Sequence, residues 1–236
     1  KEKEFVFYDI EVFNNVLIVC YLPVKKDILK KLSAMNKEDY LAEIEKMRGS
    51  VVKLINPSPD DIKLLLNNNL IGFNCRKYDN HILYGRLHGY SNAQCYKLSH
   101  QIINAKGDRS CFFGNAYDIS YTDVYDFSSV KQSLKKVEIE LGFDHIENEY
   151  PWDEDLAEEH WNEVADYCAN DVLSTVATMI YRWGDYVARE ILSALSGLNM
   201  NATTNMHTTA IIFGSDKNPG LVYTDFMTGK TYGPNE

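Results

Sequence analysis

The sequence predicts a mixed α/β domain, a β-sheet flanked by α-helices. Two alternating stretches, 5–12 and 15–23, adjoin across Asn14-Asn15 and read as a tight hairpin. From residue 51 onward, short runs rich in β-branched and aromatic residues alternate with helical patterns. Strands first and strands alternating with helices afterwards give one mixed sheet with helices packed on it.

The elements follow in order. After FVFYDIEV and NVLIVCYLP, the apolar positions Ile28, Leu29, Leu32, Leu41, Ile44 and Met47 recur at helical spacing, for one or two amphipathic helices over 25–48. VVKLIN (51–56) reads as a third strand, broken by Pro57 and Pro59. Asp60 and Asp61 then open the helix DIKLLLNNN. LIGFNC (70–75) reads as a short buried strand and YDNHILYGRLHG (78–89) as a helix ending near Gly89. YTDVYDF (121–127) is a further strand, and SVKQSLKKVEIELG a helix closed by Gly142. The longest helical pattern covers 155–183, and a second helix runs to about Gly197. Residues 92–120 give no clear pattern. The polar runs NMNATTNMH and GSDKNPG read as loops, which places a boundary near 197 and divides the chain into 1–197 and 198–236.

The 236 residues are 45% apolar and 12% aromatic, enough for a sizeable core. No apolar run approaches the ~20 residues that span a bilayer. The opening KEKEF has no signal-peptide pattern and no initiator Met, which suggests a piece of a longer chain. Five cysteines without C-x-x-C spacing argue against a disulfide framework and a structural zinc site, and point to a reducing, cytosol-like compartment. The six histidines form no metal-binding spacing, and no phosphate-cradling glycine loop occurs. A formal net charge of −10 counts against a stand-alone grip on long nucleic acid. It counts less against a short strand end entering an acidic, cation-loaded pocket.

Asp9 and Glu11 interrupt the first strand two residues apart, so they share a face and repel each other. Asp79 begins a helix directly after a buried strand. Tyr167 and Asp171 stand four apart on one face of the long helix. If these elements converge, four hard oxygen donors meet, a set suited to Mg²⁺ or Mn²⁺. Each feature also has a plainer reading: an edge strand facing water, an N-capping Asp, an ordinary surface pair.

Taken together and in order, D-x-E (Asp9, Glu11), N-x-x-x-Y-D (Asn74, Tyr78, Asp79) and Y-x-x-x-D (Tyr167, Asp171) resemble the three motifs of the DEDDy 3′→5′ exonucleases. The related histidine subclass needs His at 166, where this chain has Asp166. The resemblance covers most of 5–185 and implies a ribonuclease H-like fold. SLKKVEIELG resembles the helix before the third motif. The stretch from Ile191 to Asp225 resembles the join between proofreading and polymerase regions of bacteriophage-type DNA polymerases, although no polymerase motif lies within it.

The resemblance implies a site with two divalent cations, Mg²⁺ or Mn²⁺, about 3.5–4 Å apart. Asp9 would bridge both, Glu11 and Asp171 would complete one, and Asp79 would hold the other mainly through water. Tyr167 would orient the nucleophile, since a phenol with a pKa of about 10 positions better than it deprotonates. The implied substrate is the 3′ end of single-stranded DNA, shortened by one nucleoside 5′-monophosphate at a time, with a covalently linked polymerase domain as partner. Phe13 and Tyr78 are candidates to stack on the terminal base, or else plain core aromatics. Asn74 either donates to the substrate or ties down its own turn. Arg76 and Lys77 are the nearest cations. An RNA-processing exonuclease would share the chemistry, and a nuclease fold retained as a scaffold would have lost carboxylates that are all present here. Segments 25–49 and 92–120 read as insertions that touch DNA or a neighbouring domain.

Overall fold

The alternation in FVFYDIEV folds as β1 (Phe5–Val12), paired antiparallel with β2 (Leu17–Val24) so that Asp9 lies opposite Cys20. Phe13 N–H donates to Val16 carbonyl at 2.9 Å and closes the turn through Asn14 and Asn15. The computed structural model describes residues 4–127, 131–143, 146, 149–214 and 223–233. β3 (Val52–Ile55) adds antiparallel to β2, while β4 (Asn69–Gly72) runs parallel to β1 and β5 (Thr122–Asp123) parallel to β4. The order β3-β2-β1-β4-β5 makes a five-stranded mixed sheet of the ribonuclease H-like α/β type.

The helices cover both faces. α1 (Lys26–Leu32) and α2 (Lys37–Glu45) follow the hairpin. α3 (Pro59–Leu65) starts at a capping box, with Ser58 and Asp61 satisfying each other's backbone N–H groups. α4 (Asp79–Leu87) and α5 (Asn92–Ile103) come next, the latter capped reciprocally by Ser91 and Gln94. Period-two alternation sends Val6, Tyr8, Ile10 and Val12 into a core shared with Ile62, Ile82 and Leu98 of α3, α4 and α5. Asp9 and Glu11 therefore face the opposite side. There α7 (Trp161–Tyr181), long and buried without interruption from Val172 to Ile180, packs across β1 and β2. α6 (Leu134–Leu141) packs on α7 and ends at Gly142, whose φ of 71° is the left-handed conformation of a helix C-cap.

Several expectations are corrected. YTDVYDF forms only the two-residue β5, because the Asp123 carboxylate accepts the Tyr125 N–H at 3.0 Å and bends the chain into a 3-10 turn. The long helix starts at Trp161, six residues later than its pattern, after a short 3-10 turn over 158–160. Segment 25–49 is placed rather than corrected: Leu29, Leu32, Tyr40 and Ile44 are buried, α2 lies on α7, and Arg48 donates to Asn170 at 2.9 Å. Within 92–120, α5 belongs to the core. Phe112 and Tyr117 pack edge-on to buried His81, whose Nδ1 accepts the Phe113 N–H at 3.1 Å. Ser129 and Val130 of the SVKQSLKKVEIELG pattern, His145 and most of GSDKNPG lie outside the described residues.

The chain divides into two compact units, Lys1–Tyr186 and Val187–Glu236, with the division inside α8 (Trp183–Ser196). The second unit contains α9 (Thr204–Phe213), which forms where a loop was expected. Thr203 caps it by accepting the Met206 N–H at 3.2 Å. A short hairpin of β6 (Tyr223–Thr224) and β7 (Thr231–Tyr232) follows. Among the described residues, no helix is long and apolar enough to cross a membrane.

Candidate functional site

Asp9 and Glu11 project from β1 toward α7, which supplies Asp171. The three carboxylates each offer an oxygen within 4.8 Å of the others, a grouping that can hold a metal ion. Asp79 is not part of this trio. It stands on the wall of the same cavity, 6% exposed, with its carboxylate accepting from its own N–H and from that of Ile10. The cavity measures about 480 Å³ and is lined by Asp9, Glu11, Asp79 and Asp171 together with Phe73, Asn74, Tyr78 and Tyr125. Lys131, Gln132, Ser133 and Leu134 complete one side.

The electrostatics are those of crowded, poorly solvated anions. Burial first, then the charges of Asp171, Asp79 and Glu11, push the Asp9 carboxyl well above the usual range. Burial and the neighbouring Asp171 and Asp79 raise Glu11 to about 8. Burial raises Asp79 to about 7, with Asp123 and Asp171 adding to it. At neutral pH the four groups cannot all be ionised without compensating positive charge. The donors are hard oxygens. The adjacent Cys168 thiol, 3.6 Å from Asp9 Oδ2, is held protonated by burial and by the neighbouring Cys20. The residues thus fit a hard divalent cation such as Mg²⁺ or Mn²⁺.

The remaining expected residues separate into three groups. Tyr167 lies one turn before Asp171 on α7, and burial followed by the Asp171, Glu11 and Asp9 charges raises the phenol above its ordinary value. It reaches the site through Asp171 rather than by lining the cavity. Asn74 and Tyr78 do line it. The Tyr78 hydroxyl pairs with Ser99 at 2.7 Å, which fixes the ring, and the Asn74 side chain makes no capping hydrogen bond to its own turn. Phe13 is corrected: at 1% exposure it is a core aromatic, absent from the cavity wall, with no face left for a base.

Arg76 turns away from the cavity. Its guanidinium donates to the Tyr117 carbonyl at 3.0 Å and pairs with Asp118 and Asp126. Lys77 is likewise absent from the wall, where the cation is Lys131, bonded to Asp126 at 3.1 Å and lying 4.6 Å over the Tyr125 ring. One cue to this side was legible, the SLKKVEIELG stretch before the third motif, whose Ser133 and Leu134 line the wall. Asp166 points to β3, where it forms an ion pair with Lys53, and takes no part in the cavity. The five cysteines are free. Comparison of the chain with protein-family models, with curated proteins and with solved structures returned no match.

Proposed function

We propose that this chain is a two-metal-ion 3′→5′ exonuclease that removes nucleoside 5′-monophosphates from single-stranded DNA ends, as the proofreading part of a DNA polymerase. The observation that carries the reading is the convergence of Asp9, Glu11 and Asp171 within 4.8 Å, with Asp79 on the same cavity wall. All three sequence motifs meet at one cavity, which chance surface pairs would not do.

Asp9, Glu11, Asp171 and Asp79 would hold two divalent cations, Mg²⁺ or Mn²⁺. When bound, these supply an acidified water and stabilise charge on the departing 3′ oxygen. The chain's own residues do the rest. Tyr167 keeps its proton, so it orients the nucleophile through a hydrogen bond and does not act as base. Tyr78, its ring fixed by Ser99, presents the aromatic surface for the terminal base. Asn74 offers an amide to the sugar or phosphate. A paired terminus would have to unstack before entering a cavity of about 480 Å³, which favours single strands.

DNA rather than RNA, and the attached polymerase, rest on the likeness of the 191–225 stretch to a proofreading–polymerase join. The net charge of −10 fits a domain that leaves duplex binding to a partner, with weak, salt-dependent binding of its own. Free cysteines fit a reducing, cytoplasmic compartment.

The test is degradation of 5′-labelled DNA and RNA oligonucleotides under a Mg²⁺ or Mn²⁺ titration. A ladder of single-nucleotide steps on single-stranded DNA, with 5′-monophosphate products and little action on blunt duplex, is expected. Preference for RNA would move the reading to an RNA-processing enzyme. Absence of any metal-dependent product would leave a scaffold.

A further inference from the structure

Asp123 is a buried carboxylate that touches neither the acidic trio nor the cavity, yet three backbone N–H groups converge on it. Its Oδ1 accepts from Asn74 at 2.7 Å and Tyr125 at 3.0 Å, and its Oδ2 from Arg76 at 3.1 Å. Hydrogen bonds from N–H groups to an ionised acceptor are roughly twice as strong as neutral ones. They must also offset the cost of keeping this carboxylate at 3% exposure.

The turn it holds departs from regular helix and strand geometry at both of its ends. Asn74 has φ 56° and ψ 20°, the left-handed region, which Asn enters more readily than other residues with a side chain but still less readily than glycine. Tyr78, four residues on, has φ −139° and ψ −77°, outside the regular helix and strand regions, and Asp79 starts α4 immediately after it. The N-x-x-x-Y-D segment therefore runs from Asp123 at one end to the Ile10 N–H, held by Asp79, at the other. With Asp123 holding the turn, the Asn74 side chain is left to face the cavity.

We infer that Asp123 is a positioning residue whose carboxylate clamps the Asn74 turn and so sets where Asn74, Tyr78 and Asp79 stand in the cavity. As a contribution to turnover, this rests on the exonuclease reading above; as a clamp, it does not. Irregular backbone of this kind persists where surrounding structure over-determines it, and at the Asn74 end the group that gathers the turn's N–H donors is the Asp123 side chain from β5.

The test compares wild type with Asp123→Asn, which keeps one acceptor oxygen, and Asp123→Ala, which keeps none. Amide hydrogen exchange over 73–79 is expected to accelerate in both variants, with β1 and α7 unchanged. For oligonucleotide trimming, kcat is expected to fall about a hundredfold, the scale of a misplaced group, and KM to rise as Asn74 and Tyr78 lose their places against the strand end. Mn²⁺ affinity at the Asp9–Glu11–Asp171 trio is expected to stay at the wild-type value. Unchanged exchange over 73–79 overturns the clamp, as does faster exchange with wild-type kcat. If Asp123→Ala does not fold, Asp123→Asn decides by the same readings. If wild type itself trims nothing, the exonuclease reading is what fails, and exchange alone upholds or overturns the clamp.

Discussion

Tyr167 stands one turn before Asp171 on α7, and after burial the charge of Asp171 is the largest influence that keeps the phenol protonated. The spacing sets the phenol on the helix face of a carboxylate of the acidic trio. Because the phenol stays protonated, Tyr167→Phe removes an orienting contact and no titrating group. Its expected cost in kcat lies at or below the ~10² lower end of acid–base effects, with metal affinity retained and the pH profile unchanged in shape. Steady-state kinetics from pH 6.5 to 9 check this. A profile that loses its rise with increasing pH in the variant would make Tyr167 the base instead.

The raised carboxyl groups give the metal-free protein an unusual pH response. A carboxyl whose folded pKa lies above its unfolded value of about 4 binds more protons in the native state over the interval between them. Stability therefore falls as pH rises toward the folded values, about 8 for Glu11 and about 7 for Asp79. His81, held down to about 4 by burial, has the opposite effect at acid pH and is spent above about 6.5. Thermal unfolding with chelator should thus show Tm dropping between pH 6.5 and 8.5. Mn²⁺ should raise Tm more at pH 8.5, where fewer protons compete for the ligands. A Tm that is flat in pH and indifferent to Mn²⁺ would oppose the assignment.

Asp9→Asn removes the most crowded of these charges. Activity should vanish while the metal-free fold gains on the order of 1 kcal/mol at pH 8, the gain common when a functional strain is relieved. Urea unfolding in chelator measures it. A variant that is both inactive and less stable would show Asp9 serving the fold more than the site.

Gly72 lies where β4 meets the turn into the second motif. A Cβ there would stand 2.6 Å from Cys75 Cβ and 3.1 Å from the Tyr8 ring, and neither can retreat within the core. Tyr8 is held by Asn80, and Asn80 by Ser120 at 3.0 Å. Gly72→Ala is expected to cost about 1–3 kcal/mol by overpacking, read from urea unfolding midpoints. An unaffected midpoint would mean that this corner yields.

What could be read in the sequence followed the range of the forces involved. Period two alone put Asp9 and Glu11 on one face, and spacing four put Tyr167 beside Asp171, because both are local consequences of backbone geometry. The hairpin, the order of elements and the mixed sheet follow from patterns within each segment. Phe13 was ambiguous because burial depends on what packs above the strand. The truncation of β5 was hidden because the bend comes from one carboxylate meeting a backbone N–H two residues on. Asp123, Gly72 and the Lys53–Asp166 pair were invisible because their partners lie far away in sequence or depend on close approach in space. α9 was missed because a polar composition outweighed the Thr203 cap that starts it.

The most direct measurement of the central claim is Mn²⁺ binding followed by the loss of the free-ion electron paramagnetic resonance signal at pH 8, in wild type and in Asp9→Ala. Saturable binding by the wild type that collapses in the folded variant is the expected result. Equal binding by both proteins, or none above that of scattered surface carboxylates, would contradict the claim that Asp9, Glu11 and Asp171 form a cation site.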